Sequence, residues 1–523
     1  NNYQLGRMNQ RFLEQWLKLE QDAKNSQFKD LQSLFACDSQ RLEQLSFTAG
    51  DIFIDFSKNW LTHNVLSKLL KLAKFANLTD KINALFNDST SDGCENKVAG
   101  HINQRKFNCP VKTASDRNKM FAIARKYTTG QWCSAFGKQI NTIVNIGIGG
   151  SYLGPKLAVE ALTELQTNNL TKILFYPSID LVVLQSILQN IDLTTTLFCI
   201  SSKSLGTTET NRNTATIIEL LNNTDGYQPT TTNQSLVVAT ASFAKATQLN
   251  IPASHIMLFD NAIGGRFSVW SSIGFPLLMA IGEQKFIEFL AGAEKMDQHF
   301  HNTKLDNNIP VIMALISIWY RNFMCLPAYA VIPYDARLQS LPAWLQQLMM
   351  ESNGKMHDVH GENLTCSSSP WLFGDHGQLS QHAFFQAFHQ GTDVLPIDFI
   401  GVMNKNDSRQ DFLLINMLAQ SAALMSGSHS GQKISHCPGN RPSTTLLLTH
   451  LSASSLGQLL ALYEHMIFVQ ATIWNINCFD QPGVELGKQI ARNIVKHMEQ
   501  GSLNQMHLDE STKKLLSRVI NNE

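Results

Sequence analysis

The 523-residue sequence is short of charge: Lys, Arg, Asp and Glu make up 16% of it, and 42 basic residues balance 42 acidic ones. Soluble proteins usually carry about 25% of these residues. No run rich in Lys or Arg is present. This excludes a nucleic-acid-binding protein that neutralises phosphates with a basic surface, and a polyanionic substrate is not expected for the same reason.

Paired cysteines and long apolar runs are also missing. The nine cysteines are widely spaced and include no CxxC pair, which predicts reduced thiols in a cytoplasmic protein rather than disulfides or a zinc site. The most apolar stretch, residues 309–320, is too short to span a bilayer. We interpret it, and the charge-free stretch 442–463, as buried helices. The polar N-terminal residues predict no signal peptide.

The chain length predicts two large or three medium-sized domains. Residues 11–86 have apolar positions at helical spacing, whereas residues 87–118 are polar and predict mostly loop. Short apolar runs then alternate with helical windows, which is typical of a parallel sheet with crossover helices. Five such runs lie at residues 142–148, 172–178, 195–201, 235–240 and 255–260.

A second alternation begins near residue 310 and is less regular. Strands are predicted at 328–335 and 395–402, and helices are predicted at 311–320, 342–356 and 409–427. The simplest architecture is therefore two α/β units with helical additions at both ends of the chain.

Two loops that follow predicted strands have the composition of ligand-binding loops. Residues 145–155 (NIGIGGSYLGP) predict a strand, a glycine turn and a helix start, where N–H groups attract an anion. Tyr152 replaces the third glycine of the dinucleotide-binding fingerprint. Residues 201–210 (SSKSLGTTET) add hydroxyls and Lys203, which suit one phosphate dianion. A structural turn and an N-cap cluster are the alternatives, but two such loops in one sheet favour a shared cleft.

Further candidates for chemistry lie in the second half of the chain. Arg266 follows a glycine pair and precedes an apolar stretch; it either forms a structural ion pair or stabilises a developing anion. Gln347 and Glu351 are four residues apart, on one face of the predicted helix. Glu351 is the only carboxylate between positions 335 and 358. It is interpreted as a general base or, alternatively, as a solvated glutamate at a helix end.

Three histidines lie close together in residues 373–392. His382 and His389 are seven apart and would share a face of one helix, whereas His376 does not fit that spacing. Without an HExxH motif we expect no zinc site, and one histidine is left as an acid or base.

The segment 474–498 predicts a loop followed by an amphipathic helix that begins near Pro482. Gln481 and Lys488 are seven residues apart, so they would face the same way if both belonged to this helix. A solvated lysine is one interpretation of Lys488, and a place in a catalytic cleft is the other.

Taken in order, six segments resemble the glucose-6-phosphate isomerase (phosphoglucose isomerase) family over about residues 140–492. They are GIGGSYLGP, SKSLGTTET, IGGRFS, MESNGK, QHAFFQAFHQGT and FDQPGVELGK. The resemblance implies two sugar-isomerase (SIS) parallel-sheet α/β/α domains, a helical N-terminal region and a C-terminal helical arm. The implied boundaries are 1–115 for the N-terminal region, 116–285 and 286–500 for the smaller and larger SIS domains, and 501–523 for the tail.

The resemblance also implies the activity: reversible isomerisation of glucose 6-phosphate and fructose 6-phosphate in a homodimer, without a metal or other cofactor. By position, Glu351 is the base that moves a proton between C2 and C1, and Arg266 stabilises the enediolate. His382, from the other subunit, and Lys488 assist ring opening. The implied substrate-binding residues are Gly150, Ser151, Ser202, Lys203, Ser204, Thr207, Glu209, Gln347 and Gln481.

Several positions depart from the family pattern. The family's usual GSDLGP is replaced by GSYLGP in this chain, and its SKTFTTQET is replaced by SKSLGTTET. Likewise, GQLSQH stands in place of GTNGQH and FDQPGVE in place of FDQWGVE. The segment 93–105 is only loosely similar to TEGRAVLHxALR. Gly206 removes one hydroxyl from the implied phosphate loop, whereas the implied acid, base and enediolate-binding side chains are all present.

Two alternative functions stay open at this point. One is a related SIS-type isomerase that acts on an amino sugar phosphate or mannose phosphate. The other is a sugar-phosphate-binding or signalling protein without catalysis, against which the presence of Glu351, Arg266, His382 and Lys488 argues.

Overall fold

The computed structural model describes residues 10–24, 30–87, 99–165, 172–403, 408–428 and 433–521. The chain forms two compact units, Asn1–Phe479 and Asp480–Glu523. The boundaries implied by the resemblance near residues 115, 285 and 500 stay predictions.

Eleven strands form two sheets in the described parts of the first unit. They are β1 Ser46–Ala49, β2 Ile52–Asp55, β3 Thr142–Ile146, β4 Lys172–Tyr176, β5 Thr196–Ser201, β6 Leu236–Thr240, β7 Ile256–Leu258, β8 Ala328–Pro333, β9 Trp371–Phe373, β10 Ile397–Val402 and β11 Ser443–Leu448.

The first sheet is wholly parallel, with the strand order β4-β3-β5-β6-β7. Each of its strands lies within one of the five apolar runs, so this part of the prediction is confirmed. Every residue of β3, β5 and β6 is buried. Strands buried on both faces give continuous apolar runs, which explains why the sequence showed them clearly.

The second sheet is mixed, with the strand order β1-β2-β11-β10-β8-β9. β8 to β11 are parallel, whereas β1 and β2 form an antiparallel hairpin that joins β11. β8 and β10 confirm two predicted strands. The helical prediction for residues 11–86 is wrong at β1 and β2, because four-residue strands are too short to show a period. The α/β class with two largely parallel sheets is confirmed.

The α-helices of the described residues are distributed over both units, and α19 and α20 belong to the second. They are α1 Gln10–Lys24, α2 Leu31–Cys37, α3 Arg41–Gln44, α4 His63–Phe75, α5 Leu78–Phe86, α6 His101–Arg105, α7 Val111–Thr128, α8 Gly150–Ala161, α9 Leu181–Leu188, α10 Thr208–Asn222, α11 Phe243–Thr247, α12 Phe275–Asn302, α13 Ile309–Ile318, α14 Leu341–Gln346, α15 Gly377–Gln381, α16 Phe385–Gln390, α17 Ser408–Ser426, α18 Ala453–Trp474, α19 Glu485–Glu499 and α20 Glu510–Asn521.

One helical prediction and one loop prediction need correction. The stretch 442–463 is not all helix, because its first part is β11, a strand whose Ser and Thr hydroxyls are buried. The predicted loop 87–118 contains α6 and the start of α7, and residues 88–98 lie outside the described residues. None of the helices in the described ranges is both long enough and apolar enough to cross a bilayer.

The long central helix α18 is buried along most of its length and packs closely on α12. A Cβ atom on Gly457 would lie 2.1 Å from the carbonyl oxygen of Phe289, so only glycine allows this approach. Gln458 of the same helix accepts a hydrogen bond from the Asp51 N–H and donates one to its carboxylate. α18 thereby holds the β1–β2 turn of the second sheet in place.

Candidate active site

The carboxyl ends of β3 and β5 are tied together by one buried amide. Asn145 of β3 accepts a hydrogen bond from the Ser201 hydroxyl (2.7 Å) and donates one to the Ser151 carbonyl (2.9 Å). A Cβ atom on Gly147 would lie 2.9 Å from the carbonyl oxygens of both serines. The structure therefore brings the two loops proposed from the sequence to one edge of the sheet, where ligands of parallel α/β sheets bind.

The glycine turn also contacts the segment that carries Arg266. Gly149 has φ 60° and ψ −125°, and α8 begins at Gly150. A Cβ atom on Gly150 would lie 2.0 Å from the Gly265 carbonyl oxygen and 2.6 Å from the Arg266 nitrogen. This close backbone approach requires glycine at position 150.

Arg266 is buried beside Glu351. Its Nε donates a hydrogen bond to the Ser352 hydroxyl (2.6 Å), and its Nη2 donates one to the Cys478 carbonyl (2.5 Å). Its Nη1 lies 3.7 Å from Glu351 Oε1, and the Glu351 side chain is 21% exposed. The guanidinium is thus fixed, whereas the carboxylate forms no hydrogen bond with any described residue and stays reachable from outside.

The segment Gln347–Glu351 forms a π-helical turn directly after α14. The sequence predicted a helix over this segment, and the structure shows that its backbone widens here to i→i+5 hydrogen bonds, a feature frequent at functional sites. Gln347 Nε2 lies 3.1 Å from where a Cβ atom of Gly149 would be. Its Oε1 is buried and has no hydrogen-bond partner in the described structure. An unsatisfied buried oxygen is costly, which points to a ligand that donates to it.

The loop before α10 is held in an uncommon conformation. Leu205 is buried and has φ 47°, in the left-handed region. Its N–H donates to the Ser202 hydroxyl (3.1 Å), and its carbonyl accepts from Asn211 Nδ2 (3.2 Å). Thr207 is the N-cap of α10, but its side chain makes no capping hydrogen bond. The N-cap interpretation of this loop therefore fails for Thr207, and its hydroxyl is not used by the helix.

Other predicted residues are not brought to the Arg266–Glu351 pair by any described contact. His382 is exposed at the end of α15, and its side chain makes no hydrogen bond within the described ranges. Glu209 is half-buried in the first turn of α10. Their roles stay predictions from the resemblance, and so does that of the half-buried Lys203.

The predicted common helix of His382 and His389 is wrong. α15 and α16 are separate short helices, and His382 lies between them. His389 contacts Gln420 Oε1 through Nε2 at 3.0 Å. His376 is buried at the start of α15, and burial lowers its pKa despite the nearby Asp335 and Asp375.

Gln481 and Lys488 belong to the second unit. α19 begins at Glu485, after a 3-10 turn at Pro482–Val484, so Gln481 lies outside the helix and helical spacing does not relate it to Lys488. Lys488 is exposed and pairs with Glu485 at 3.0 Å. The places of both residues in the site stay predictions.

Sequence reasoning missed Asn145, Ser352 and Lys245, whose Nζ donates to the Ser204 carbonyl at 2.9 Å. A polar residue inside the buried strand TIVNI was a usable indication for Asn145. Nothing in the sequence marked the other two, because their contacts arise from tertiary packing. Within the described ranges, no group of three or more His, Cys, Asp or Glu side chains is arranged to hold a metal ion.

The chain is similar over most of its length to known proteins of one family. The family model described as phosphoglucose isomerase matches residues 55–516. The glucose-6-phosphate isomerase of Francisella philomiragia is 40% identical over 519 residues, which cover 93% of this chain and 96% of that protein. Glucose-6-phosphate isomerase 1 of Chromohalobacter salexigens is 39% identical over 520 residues, covering 96% and 94%. The crystal structure of a glucose-6-phosphate isomerase from Chlamydia trachomatis matches with a TM-score of 0.85 at 29% identity, covering 97% of this chain and 98% of that one.

Proposed function

The chain belongs to the phosphoglucose isomerase family, and on this basis we propose how its residues interconvert glucose 6-phosphate and fructose 6-phosphate. The reaction is an aldose–ketose isomerisation of glycolysis and gluconeogenesis. The observation that carries the proposal is the position of Glu351, 3.7 Å from the buried Arg266 and still partly exposed. A weakly acidic C–H next to a carbonyl needs such a pair of base and cation.

Glu351 carries the proton in the proposed mechanism. Its carboxylate removes the proton from C2 of the open-chain aldose. The electron pair of that bond forms the C1–C2 double bond, and the π pair of the C1 carbonyl moves onto O1 to give a cis-enediolate. A proton passes from the C2 hydroxyl to O1, and the protonated Glu351 returns its proton to C1, which leaves a carbonyl at C2 and yields the ketose. The substrate as a whole is neither oxidised nor reduced, so the step needs no external redox partner.

Arg266 stabilises the oxygen anion of the enediolate. A guanidinium does not lose its proton near neutral pH, so it offers constant positive charge. The hydrogen bonds to Ser352 and Cys478 hold it in place before the substrate arrives, which avoids reorganisation during the reaction. Gln347, with its unsatisfied Oε1, is assigned to a substrate hydroxyl.

The phosphate end is assigned to the loop at residues 202–207. Hydroxyls of Ser202, Ser204 and Thr207, the backbone N–H groups at the start of α10 and Lys203 supply the donors. Gly150 and Ser151 of the glycine turn contact the sugar. This arrangement suits one small dianion and is compatible with the low charge content of the chain.

Ring opening is assigned to His382 and Lys488, with Glu209 orienting the histidine and Gln481 contacting the substrate. We propose that the protein is a homodimer and that His382 enters the site of the other subunit. Its exposure in the single chain supports this assignment, since an acid–base residue should face a substrate. We also propose a cytoplasmic location, which the eight described cysteines, all free thiols, support.

A coupled isomerase assay with purified protein tests the proposed function. We expect rapid turnover of fructose 6-phosphate to glucose 6-phosphate and much slower turnover of mannose 6-phosphate and glucosamine 6-phosphate. Preferred turnover of either other sugar would establish the related SIS-type isomerase instead. Binding of fructose 6-phosphate without turnover would establish a sugar-phosphate-binding protein.

A further inference from the structure

The space beside Gly206 is occupied by a lysine from another element. A Cβ atom on Gly206 would lie 3.3 Å from the Ser204 hydroxyl oxygen and 3.7 Å from Lys245 Nζ. The ammonium and the hydroxyl therefore flank the point at which the phosphate loop lacks a side chain.

Lys245 reaches this position because β6 lies next to β5 in the first sheet. The end of β6 and the residue after it are fixed to the loop by two hydrogen bonds: the Thr240 hydroxyl (3.0 Å) and the Ala241 N–H (2.9 Å) both donate to the Lys203 carbonyl. Lys245 of α11 adds the hydrogen bond to the Ser204 carbonyl at 2.9 Å. Lys245 is exposed and has no carboxylate partner among the described residues, so its charge is not neutralised there.

The two contacts to the Lys203 carbonyl also orient the peptide group between Lys203 and Ser204. In a trans peptide the C=O and the following N–H point in opposite directions. Because the Lys203 carbonyl points to Thr240 and Ala241, the Ser204 N–H points away from them, and it has no hydrogen-bond partner in the described chain. Successive N–H groups turned to one side make an anion-binding concavity.

We propose that Lys245 is a positioning residue and second cation of the phosphate loop, which holds the peptide between Ser204 and Leu205 through the Ser204 carbonyl and adds positive charge where Gly206 supplies no hydroxyl. This inference rests on the proposed function, because it takes the loop at residues 202–207 to bind the phosphate of the substrate. A charge-assisted hydrogen bond to a backbone carbonyl is stronger than a neutral one, and an exposed charge acts on a nearby dianion in a salt-dependent way.

Steady-state kinetics with fructose 6-phosphate test this inference in three variants. For Lys245→Met we expect KM to rise about tenfold at low ionic strength, with kcat changed less than about threefold. The rise should shrink at high salt, and inorganic phosphate should inhibit the variant more weakly than the wild type. For Lys245→Arg, which keeps the charge and a donor, KM should stay within about threefold of the wild-type value.

Lys172→Met is the matched control. Lys172 is also exposed, lies on the same sheet and donates to a backbone carbonyl, that of Asn190 at 3.0 Å, but it does not touch the loop. Its KM should equal that of the wild type. An unchanged KM in Lys245→Met, or an equal loss in Lys172→Met, would overturn the inference while wild-type turnover still supports the proposed function. A loss confined to kcat, with the thermal unfolding midpoint lowered, would also overturn it.

Discussion

Arg105 and Arg266 are both buried and face carboxylates, and these carboxylates are held in opposite ways. Arg105 donates to both oxygens of Asp297, from Nε (2.7 Å) and Nη2 (2.5 Å), and it forms a short hydrogen bond to Glu464. All three side chains are fully or almost fully buried. Burial alone would lower the pKa of Arg105, but the two carboxylates raise it above its ordinary value.

Glu351, in contrast, lies beyond hydrogen-bond distance from Arg266 and is partly exposed. The carboxylates around Arg105 form their hydrogen bonds with other side chains of the protein. Besides Arg105, His465 also bonds to Asp297, at 2.7 Å. The Glu351 carboxylate can still accept hydrogen bonds or a proton from a bound ligand. A buried arginine beside a carboxylate can therefore serve either stability or catalysis. What separates the two roles is whether the carboxylate oxygens are already hydrogen-bonded within the protein or remain available to a ligand.

Replacement of Glu351 by Gln should have the largest effect on activity. The amide keeps the size of the side chain but cannot accept the C2 proton, so kcat should fall about a thousandfold or more. Binding of fructose 6-phosphate, measured by calorimetry, should be retained, and the unfolding midpoint should stay near that of the wild type. Turnover near the wild-type rate would remove Glu351 from the role of base.

Replacement of Arg105 by Met should have the largest effect on stability. Removing the cation leaves two buried carboxylates uncompensated, which typically costs about 3–5 kcal/mol of unfolding free energy. Urea denaturation of the variant measures this. The control is Arg125→Met, which breaks the exposed pair with Glu283 (3.3 Å) and should cost less than about 1 kcal/mol. Equal losses in both variants would contradict a structural role for the Arg105 cluster.

Replacement of Arg266 by Lys should affect activity far more than stability. A lysine keeps the positive charge but cannot bind Ser352, Cys478 and an enediolate oxygen with fixed geometry. We expect kcat to fall about a hundredfold, with a much smaller loss of unfolding free energy than in Arg105→Met. If the two variants lost stability equally, the contrast between the two arginines would be wrong.

Asp398 is a third case, a buried carboxylate bonded to the hydroxyls of Tyr329 and Tyr463 rather than to a cation. Burial raises its pKa to about 7, against the effect of both hydroxyls. Because the folded pKa exceeds the unfolded one, its contribution to stability is complete below about pH 4 and is lost as the pH rises to about 7. Between pH 6 and 8 the loss should be about 1 kcal/mol.

Asp398→Asn isolates this contribution, because the amide cannot titrate. Urea denaturation of both proteins across this pH range should show that the wild type loses stability relative to the variant as the pH rises. A difference that does not change with pH would mean that Asp398 is ionised throughout the range.

The sequence allowed the first sheet to be predicted almost strand by strand, because buried parallel strands are continuous apolar runs. β11 was missed because its serines and threonines, such as Thr444, which bonds to Asn59, make a buried strand look polar. β9 has three residues and gives no pattern. The helix at residues 342–356 was predicted without its π-turn, since α and π turns differ too little in period to be separated in one sequence.

The candidate site was predictable in its reactive residues but not in their supports. Arg266 and Glu351 stood out through composition and through family resemblance. Asn145 and Ser352 act through contacts between elements far apart in the chain, which only the tertiary structure brings together. The loop conformation at Leu205 was likewise not predictable, because the left-handed region is uncommon for leucine.

Isomerisation in heavy water tests most directly the central claim that the Glu351 carboxylate transfers the proton. A proton held by a partly exposed carboxylate exchanges with solvent, so wild-type protein should place deuterium at C1 of fructose 6-phosphate and at C2 of glucose 6-phosphate, detected by NMR. Glu351→Gln should incorporate none over the same time. Complete interconversion by the wild type without any solvent deuterium in either sugar would indicate a hydride shift and contradict the account.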